Sequence, residues 1–199
     1  MKLTRRTFLK LVPVGIALTA ASWWILTGNT GTVPIDTGAE TTSESSAAMH
    51  EFPEAWSEHA DHPVVDSRDY LLRVDGDVSN PLQLTLDELY AMPSVSQNST
   101  IRCVEGWDAL VVWEGIPLSR LLSLAGASKE YDHVTVESLT GYATRIERSD
   151  AANSGTMIAL KAASAPLNNE HGYPARLVLP TRPGYEWVKQ VVRITCIKS

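Results

Sequence analysis

"IRCVEGWDALVVWEGIPLSRLL", residues 101–122, is the stretch on which the reading of this chain turns. With the "ST" before it, the segment alternates polar and apolar residues through Ile101 and Cys103, the period of a half-buried strand. Gly106 breaks that alternation, so Cys103 is expected where a strand ends and a loop begins. At the other end, "IPLSRLLSLAG" puts Leu118, Leu121, Leu122 and Ala125 on one helical face, with Gly126 as its C-terminal stop. A thiol at a strand end and a short helix therefore lie within one continuous segment.

The flanking sequence is rich in strands. "YLLRVDGDV" is a β-rich run ended by Asp75-Gly76, and "PLQLTLDELYAMP" reads as a short strand followed by a helix capped at Thr85 and stopped at Pro93. "DHVTVES" alternates Val134 with Val136, and "GYATRIE", "ARLVLP" and "VVRITCI" are further strand candidates. Many strands and few short helices predict an α+β domain built on mixed or antiparallel sheets.

The N-terminal third has a different character. "TRRTFLK" at 4–10 has paired arginines, a hydrophobic pair and a lysine, and runs into the apolar "LVPVGIALTAASWWIL" of 11–26. This order is that of a twin-arginine export signal; the competing reading is a basic arm before a membrane helix. The apolar run is shorter than the roughly 20 residues a spanning helix needs, while Trp23 and Trp24 resemble interfacial anchors. Cleaved and membrane-tethered forms both stay open, and either places the domain in the periplasm or another extracytoplasmic space. Residues 28–63 are rich in Thr, Ser, Gly, Ala and Glu and read as a flexible linker. The expected organisation is a signal or anchor at 1–27, a linker at 28–63 and a folded domain at 64–199.

At 199 residues, 44% of them hydrophobic, the chain can bury a substantial core. Its net charge is −6; removing residues 1–27 takes away four bases and no acid, leaving −10. That balance argues against a nucleic-acid partner.

Cys103 has three readings. In an oxidising compartment it pairs with Cys196, the only other cysteine, and closes a long loop. As a small hydrophobe it would simply be buried, a role that suits Cys196, which continues the alternation of Val192 and Ile194. As a thiolate at a loop beside a positive charge it becomes a soft metal ligand.

The full 101–122 string resembles the cysteine segment of the sulfite oxidase superfamily, most closely the branch of periplasmic methionine-sulfoxide reductase catalytic subunits. "TMIALKAASAPLNNEHGYPARLVLPTRPGYEWVKQVVRI", residues 156–194, is similar to the closing segment of that family, with its His-Gly-x-Pro-x-Arg element and a later lysine. The resemblance implies a sulfite-oxidase-type fold binding molybdenum-molybdopterin, with Cys103 as the metal ligand. His171, Arg176 and Lys189 match residues that hold the pterin and its phosphate, and Arg102 is a further candidate beside the cysteine. Guanidinium and ammonium donors suit a phosphate, and an imidazole suits the pterin edge. Glu105 either tunes the metal or pairs with Arg102 across a strand; Tyr142 either reaches the pocket or is a half-buried strand tyrosine. Trp107 and Trp113 are expected to wall the site.

The implied reaction moves an oxygen atom to or from a small sulfoxide, N-oxide or similar molecule. Where sulfite oxidases have a basic residue after the cysteine, this chain has Glu105 and Asp108, which would repel a sulfite dianion. Its sequence holds no Cys-x-x-Cys-His haem site and no iron–sulfur cysteine set, so electrons would be exchanged with a membrane haem subunit, a quinol-linked protein or a soluble cytochrome. The rival is a non-catalytic cofactor-binding or structural exported domain held by a Cys103–Cys196 disulfide.

Overall fold

The computed structural model describes residues 63–104 and 106–198. The signal at 1–27, nearly all of the linker, and Glu105 lie outside the described residues. Among those described, no helix is long and apolar enough to cross a membrane.

Side-chain alternation builds the first sheet. In β1, Leu71–Gly76, Leu72 and Val74 are fully buried while Leu71 and Arg73 point out. β2 (Leu82–Thr85) flanks it on one side and β10 (Val191–Ile197) on the other, followed by β5 (His133–Ser138) and β6 (Ala143–Glu147). Only the β1–β10 pairing is parallel; the other pairs in this sheet are antiparallel. The second sheet runs β3 (Val95–Arg102), β4 (Asp108–Pro117), β7 (Met157–Ala162) and the two-residue β8 (Ala165–Pro166), with β9 (Arg176–Val178) also on β7. All its pairs are antiparallel.

Among the described residues, three short α-helices complete the α+β architecture. α1 (Leu86–Ala91) begins with a capping box, in which the Thr85 hydroxyl accepts from the Glu88 amide and the Glu88 carboxylate accepts from the Thr85 amide. α2 (Leu118–Leu124) buries Leu118, Leu121 and Leu122, and Gly126 follows it at φ +66°, as its predicted role as a stop requires. α3 (Arg148–Ala151) is a single turn.

β4 and β7 were hidden from the alternation rule for physical reasons. β4 buries Ala109, Val111 and Trp113 in turn, then shifts register between Glu114 and Gly115, so that Gly115 and Ile116 are both buried. A side chain at Gly115 would run into the backbone of Ile158, which explains the glycine. β7 is covered on both faces, and four consecutive residues, Met157 to Leu160, are buried with no period to detect. Ile116, Leu118, Ile158 and Leu177 are completely buried. Truncating any one of them to alanine is expected to cost about 2–5 kcal/mol.

The expected alternative of a Cys103–Cys196 disulfide is corrected: both cysteines are free. They belong to different sheets, Cys103 following β3 and Cys196 lying within β10 opposite Val134. Burial, helped by Asp77 and Asp75, pushes the Cys196 thiol up to about 11, so it stays protonated as a core residue.

Candidate active site

Cys103 leaves β3 into a tight turn. Its amide donates to the Trp107 carbonyl at 2.9 Å, and the Gly106 amide donates to the Cys103 carbonyl at 3.1 Å. The strand end is thereby fixed with Cys103 partly exposed, lining a cleft of about 140 Å³ together with Ile101, Trp107, Arg176, Gly184, Tyr185 and Lys189. Three remote pieces of chain meet here: the β3–β4 turn, the start of β9, and the segment from a 3-10 turn (Gly184–Glu186) to Lys189 before β10. Gly184 permits the closure, because a Cβ there would sit 2.7 Å from Ile101 Cγ1 and 2.8 Å from the Arg102 carbonyl oxygen.

Arg176 is the unusual member. It opens β9, as expected from sequence, but is buried rather than on the surface. Its guanidinium lies 5.4 Å from the ring centre of Trp113 and 6.0 Å from that of Trp187, and the two indoles meet edge to face at 5.8 Å. Nη1 donates to the His171 carbonyl at 3.2 Å. Burial alone pushes the Arg176 guanidinium down to about 9.

His171 and Lys189 share this environment. The His171 amide donates to Asn168 Oδ1 at 2.7 Å, and Gly172, at φ +101°, lies so close to Lys189 that a Cβ on it would be 3.0 Å from the lysine Cβ. Burial, then the charges of Arg176 and Lys189, push the His171 imidazole down to about 4. Burial and Arg176 push Lys189 down to about 8 against the opposing pull of Glu170. At neutral pH the cluster therefore presents a neutral imidazole beside two cations that have lost solvation.

The other expected site residues are placed differently. Arg102 is largely exposed and pairs at 3.7 Å with Asp108, the residue facing it on β4; the expected alternative pairing with Glu105 lies outside the described residues. Tyr142 sits in the turn before β6, is exposed, and donates its hydroxyl to the Tyr185 carbonyl at 2.9 Å. Trp107 lines the cleft, whereas Trp113 lies beneath Arg176. Sequence reasoning missed Tyr185 and Gly184; the "PGYEW" turn at 183–187 was the available signal.

The donor set fits a cofactor that is both anionic and metal-bearing. Among the described residues no group of three or more His, Cys, Asp or Glu could hold a metal ion. A metal at Cys103 would thus draw its other ligands from a partner group. Two desolvated cations next to a thiol suit an organic anion carrying a soft metal. At about 140 Å³ the cleft is small beside ligand pockets of roughly 300–1,000 Å³, so it would take one end of such a group.

Comparison with known proteins gives the same direction. A family model described as the oxidoreductase molybdopterin binding domain matches residues 59–199. The chain is 35% identical over 127 residues to the putative protein-methionine-sulfoxide reductase subunit YedZ1 of Azospira oryzae, covering 64% of this chain and 48% of that protein. It is 31% identical over 143 residues to the protein-methionine-sulfoxide reductase catalytic subunit MsrP of Gluconobacter oxydans, covering 63% and 46% respectively. The chain thus spans about half the length of these relatives. Among solved structures it is similar to the sulfane dehydrogenase SoxCD of Paracoccus pantotrophus, with a TM-score of 0.65 and 26% identity over 69% of this chain and 40% of that one.

Proposed function

The chain belongs to the oxidoreductase molybdopterin binding domain family, with a sulfite-oxidase-type fold, and from that premise we propose that it binds molybdenum-molybdopterin and catalyses oxygen-atom transfer to or from a small sulfoxide, N-oxide or similar molecule. The observation that supports this reading most is the placing of Cys103 in the same cleft as Arg176 and Lys189, with His171 alongside. When bound, the cofactor supplies a metal that changes oxidation state by two electrons as an oxygen atom moves.

The protein's own residues do the holding. Cys103 offers its sulfur as the metal ligand at the end of β3. Arg176 and Lys189 hold the anionic part of the cofactor and regain in that contact the charge stabilisation that burial removes. His171, neutral at pH 7, has one ring nitrogen to donate and one to accept toward a polar edge. Trp113 and Trp187 keep water from the guanidinium and fix its plane. Glu105, two residues after the thiol, is assigned to tuning the metal side of the site.

Export through the twin-arginine pathway, with an N-terminal tether or a cleaved signal, belongs to the same proposal, as does electron exchange with a membrane haem subunit or soluble cytochrome. The test is molybdenum and pterin content per chain in protein exported by its own signal, for wild type and Cys103→Ser, together with dye-linked sulfoxide turnover. Near one of each per wild-type chain, metal loss in the variant and wild-type turnover are expected. A wild-type chain without metal or pterin, from a host that makes the cofactor, overturns the reading; a loaded chain without turnover leaves a non-catalytic binding domain.

A further inference from the structure

Tyr185 stands apart from the residues assigned to the cofactor: it lines the cleft with Cys103 and Trp107, yet is 58% exposed, so it is placed at the mouth. Val104, next to Cys103 in sequence, is 74% exposed. Nearby, Arg102 and Asp108 form an ion pair at 3.7 Å. The mouth is therefore aromatic, whereas the depth of the cleft carries Arg176 and Lys189.

The segment bearing Tyr185 is fixed from three sides. Upstream, Arg182 makes a two-point contact with Asp150, Nε at 3.0 Å and Nη2 at 2.9 Å, and the Thr181 hydroxyl donates to the same carboxylate at 2.8 Å. Downstream, Trp187 Nε1 donates to the Arg182 carbonyl at 3.0 Å. Inward, Gly184 abuts Ile101 and the Arg102 carbonyl. What holds the backbone of Tyr185 itself is the Tyr142 hydroxyl, which donates to its carbonyl at 2.9 Å from the turn between β5 and β6.

We propose that Tyr185 is a substrate-binding residue that selects neutral, apolar-substituted substrates at the mouth of the cleft, and that Tyr142 is its positioning residue, acting through the Tyr185 backbone. The proposal rests on the oxygen-transfer reading for its substrate class, but its structural half does not. A sulfoxide with an aromatic or alkyl substituent places that group against the exposed Tyr185 ring, which carries no charge to satisfy. A charged substituent loses solvation against that ring.

The test uses full-length protein loaded with cofactor, as wild type, Tyr185→Ala and Tyr142→Phe. For methyl phenyl sulfoxide, Tyr185→Ala is expected to raise KM about ten-fold with kcat within about two-fold, and to narrow the preference over a sulfoxide bearing a carboxylate. Tyr142→Phe removes one hydrogen bond and is expected to raise KM about three-fold. It is also expected to speed backbone hydrogen exchange at 184–187, an effect a remote surface tyrosine would not have. Molybdenum content is expected to be unchanged in both variants. A fall in metal content in Tyr185→Ala, or an unchanged KM, overturns the substrate-binding role. Unchanged exchange in Tyr142→Phe overturns the positioning role, and this readout decides even if the wild type shows no turnover, a result that counts against the oxygen-transfer reading instead.

Discussion

Arg193 and Arg176 are carried by strands of the two different sheets and are held in opposite ways. Arg193, on β10, is half exposed and grips Asp75 through Nε and Nη2 at 3.0 Å, an arrangement that raises its already high pKa. Arg176, on β9, is buried against two indoles, and burial lowers its pKa. Both are held within the chain, but a carboxylate favours the charge of Arg193, whereas Arg176, with Lys189 beside it, keeps its charge against the cost of burial. Under the proposed function, the contrast separates a charge that serves the fold from one that would meet the cofactor.

Replacing Arg176 with Met should break this comparison most severely. The variant keeps much of the side-chain volume beside Trp113 and Trp187 but removes the charge. Cofactor content, measured as molybdenum per chain, is expected to fall at least ten-fold. Apo-protein stability, measured by urea unfolding, is expected to hold or to rise by about 1–4 kcal/mol, as happens when a desolvated charge gives way to an apolar side chain. Arg193→Ala is the control: about 0–1 kcal/mol lost and no change in metal content. A stabilised protein that still loads the cofactor would refute the assignment of Arg176.

The same contrast was only partly legible in the sequence. Thr85 as cap, Gly126 as stop, Cys103 at a strand end and Arg176 at a strand start follow from local pattern, and the structure has each of them. The burial of Arg176 does not, because it depends on Trp113 and Trp187 arriving from β4 and from the turn before β10. β4 and β7 lacked a clean period, β4 because Leu110 and Val112 put apolar side chains on its less buried face ahead of the bulge, and β7 because both its faces are covered. The Arg102–Asp108 pairing depends on the β3–β4 register, and the role of Tyr142 depends on a neighbour 43 positions away. Local signals thus locate the elements, while the cleft arises from long-range packing.

Lys189 gives the comparison a pH axis. Its pKa of about 8, down from 10.5, means that the unfolded chain binds a proton between those values that the empty folded protein does not. Apo stability therefore gains a contribution as pH rises through that window, while affinity for an anion is lost as pH rises through about 8. Inorganic phosphate is a convenient probe, since it stays mainly dianionic from pH 7.5 to 9.5. Its affinity for apo protein, measured by calorimetry, is expected to fall about ten-fold over that range. Lys189→Arg should flatten the profile, and an equally steep fall in that variant would assign the titration elsewhere. His171 acts on the acid side: with its pKa lowered from 6.5 to about 4, it takes stability away as pH falls from 6.5 toward 4. His171→Gln should remove that share of the acid loss in a thermal-unfolding series.

Cys196→Ser sharpens the distinction at the level of the thiols. Cys196 is 1% exposed within β10 and protonated, so a serine there buries a hydroxyl in apolar surroundings and is expected to cost about 1–3 kcal/mol. Cofactor content should not change, because this thiol belongs to the other sheet. Loss of metal without loss of stability would reverse the roles given to the two cysteines.

Arg102 is the smallest and most discriminating case, since it adjoins Cys103 but is held more like Arg193. Its side chain is 73% exposed and its contact with Asp108, at 3.7 Å, is long. An exposed pair of this kind contributes about 0–1 kcal/mol, and its removal by Arg102→Ala leaves intact the backbone carbonyl that Gly184 packs against. Metal content should therefore stay within about two-fold of wild type, with stability nearly unchanged. A loss as large as that expected for Arg176→Met would mean that an exposed guanidinium reaches the cofactor, and that burial is not what marks the functional arginines of this fold.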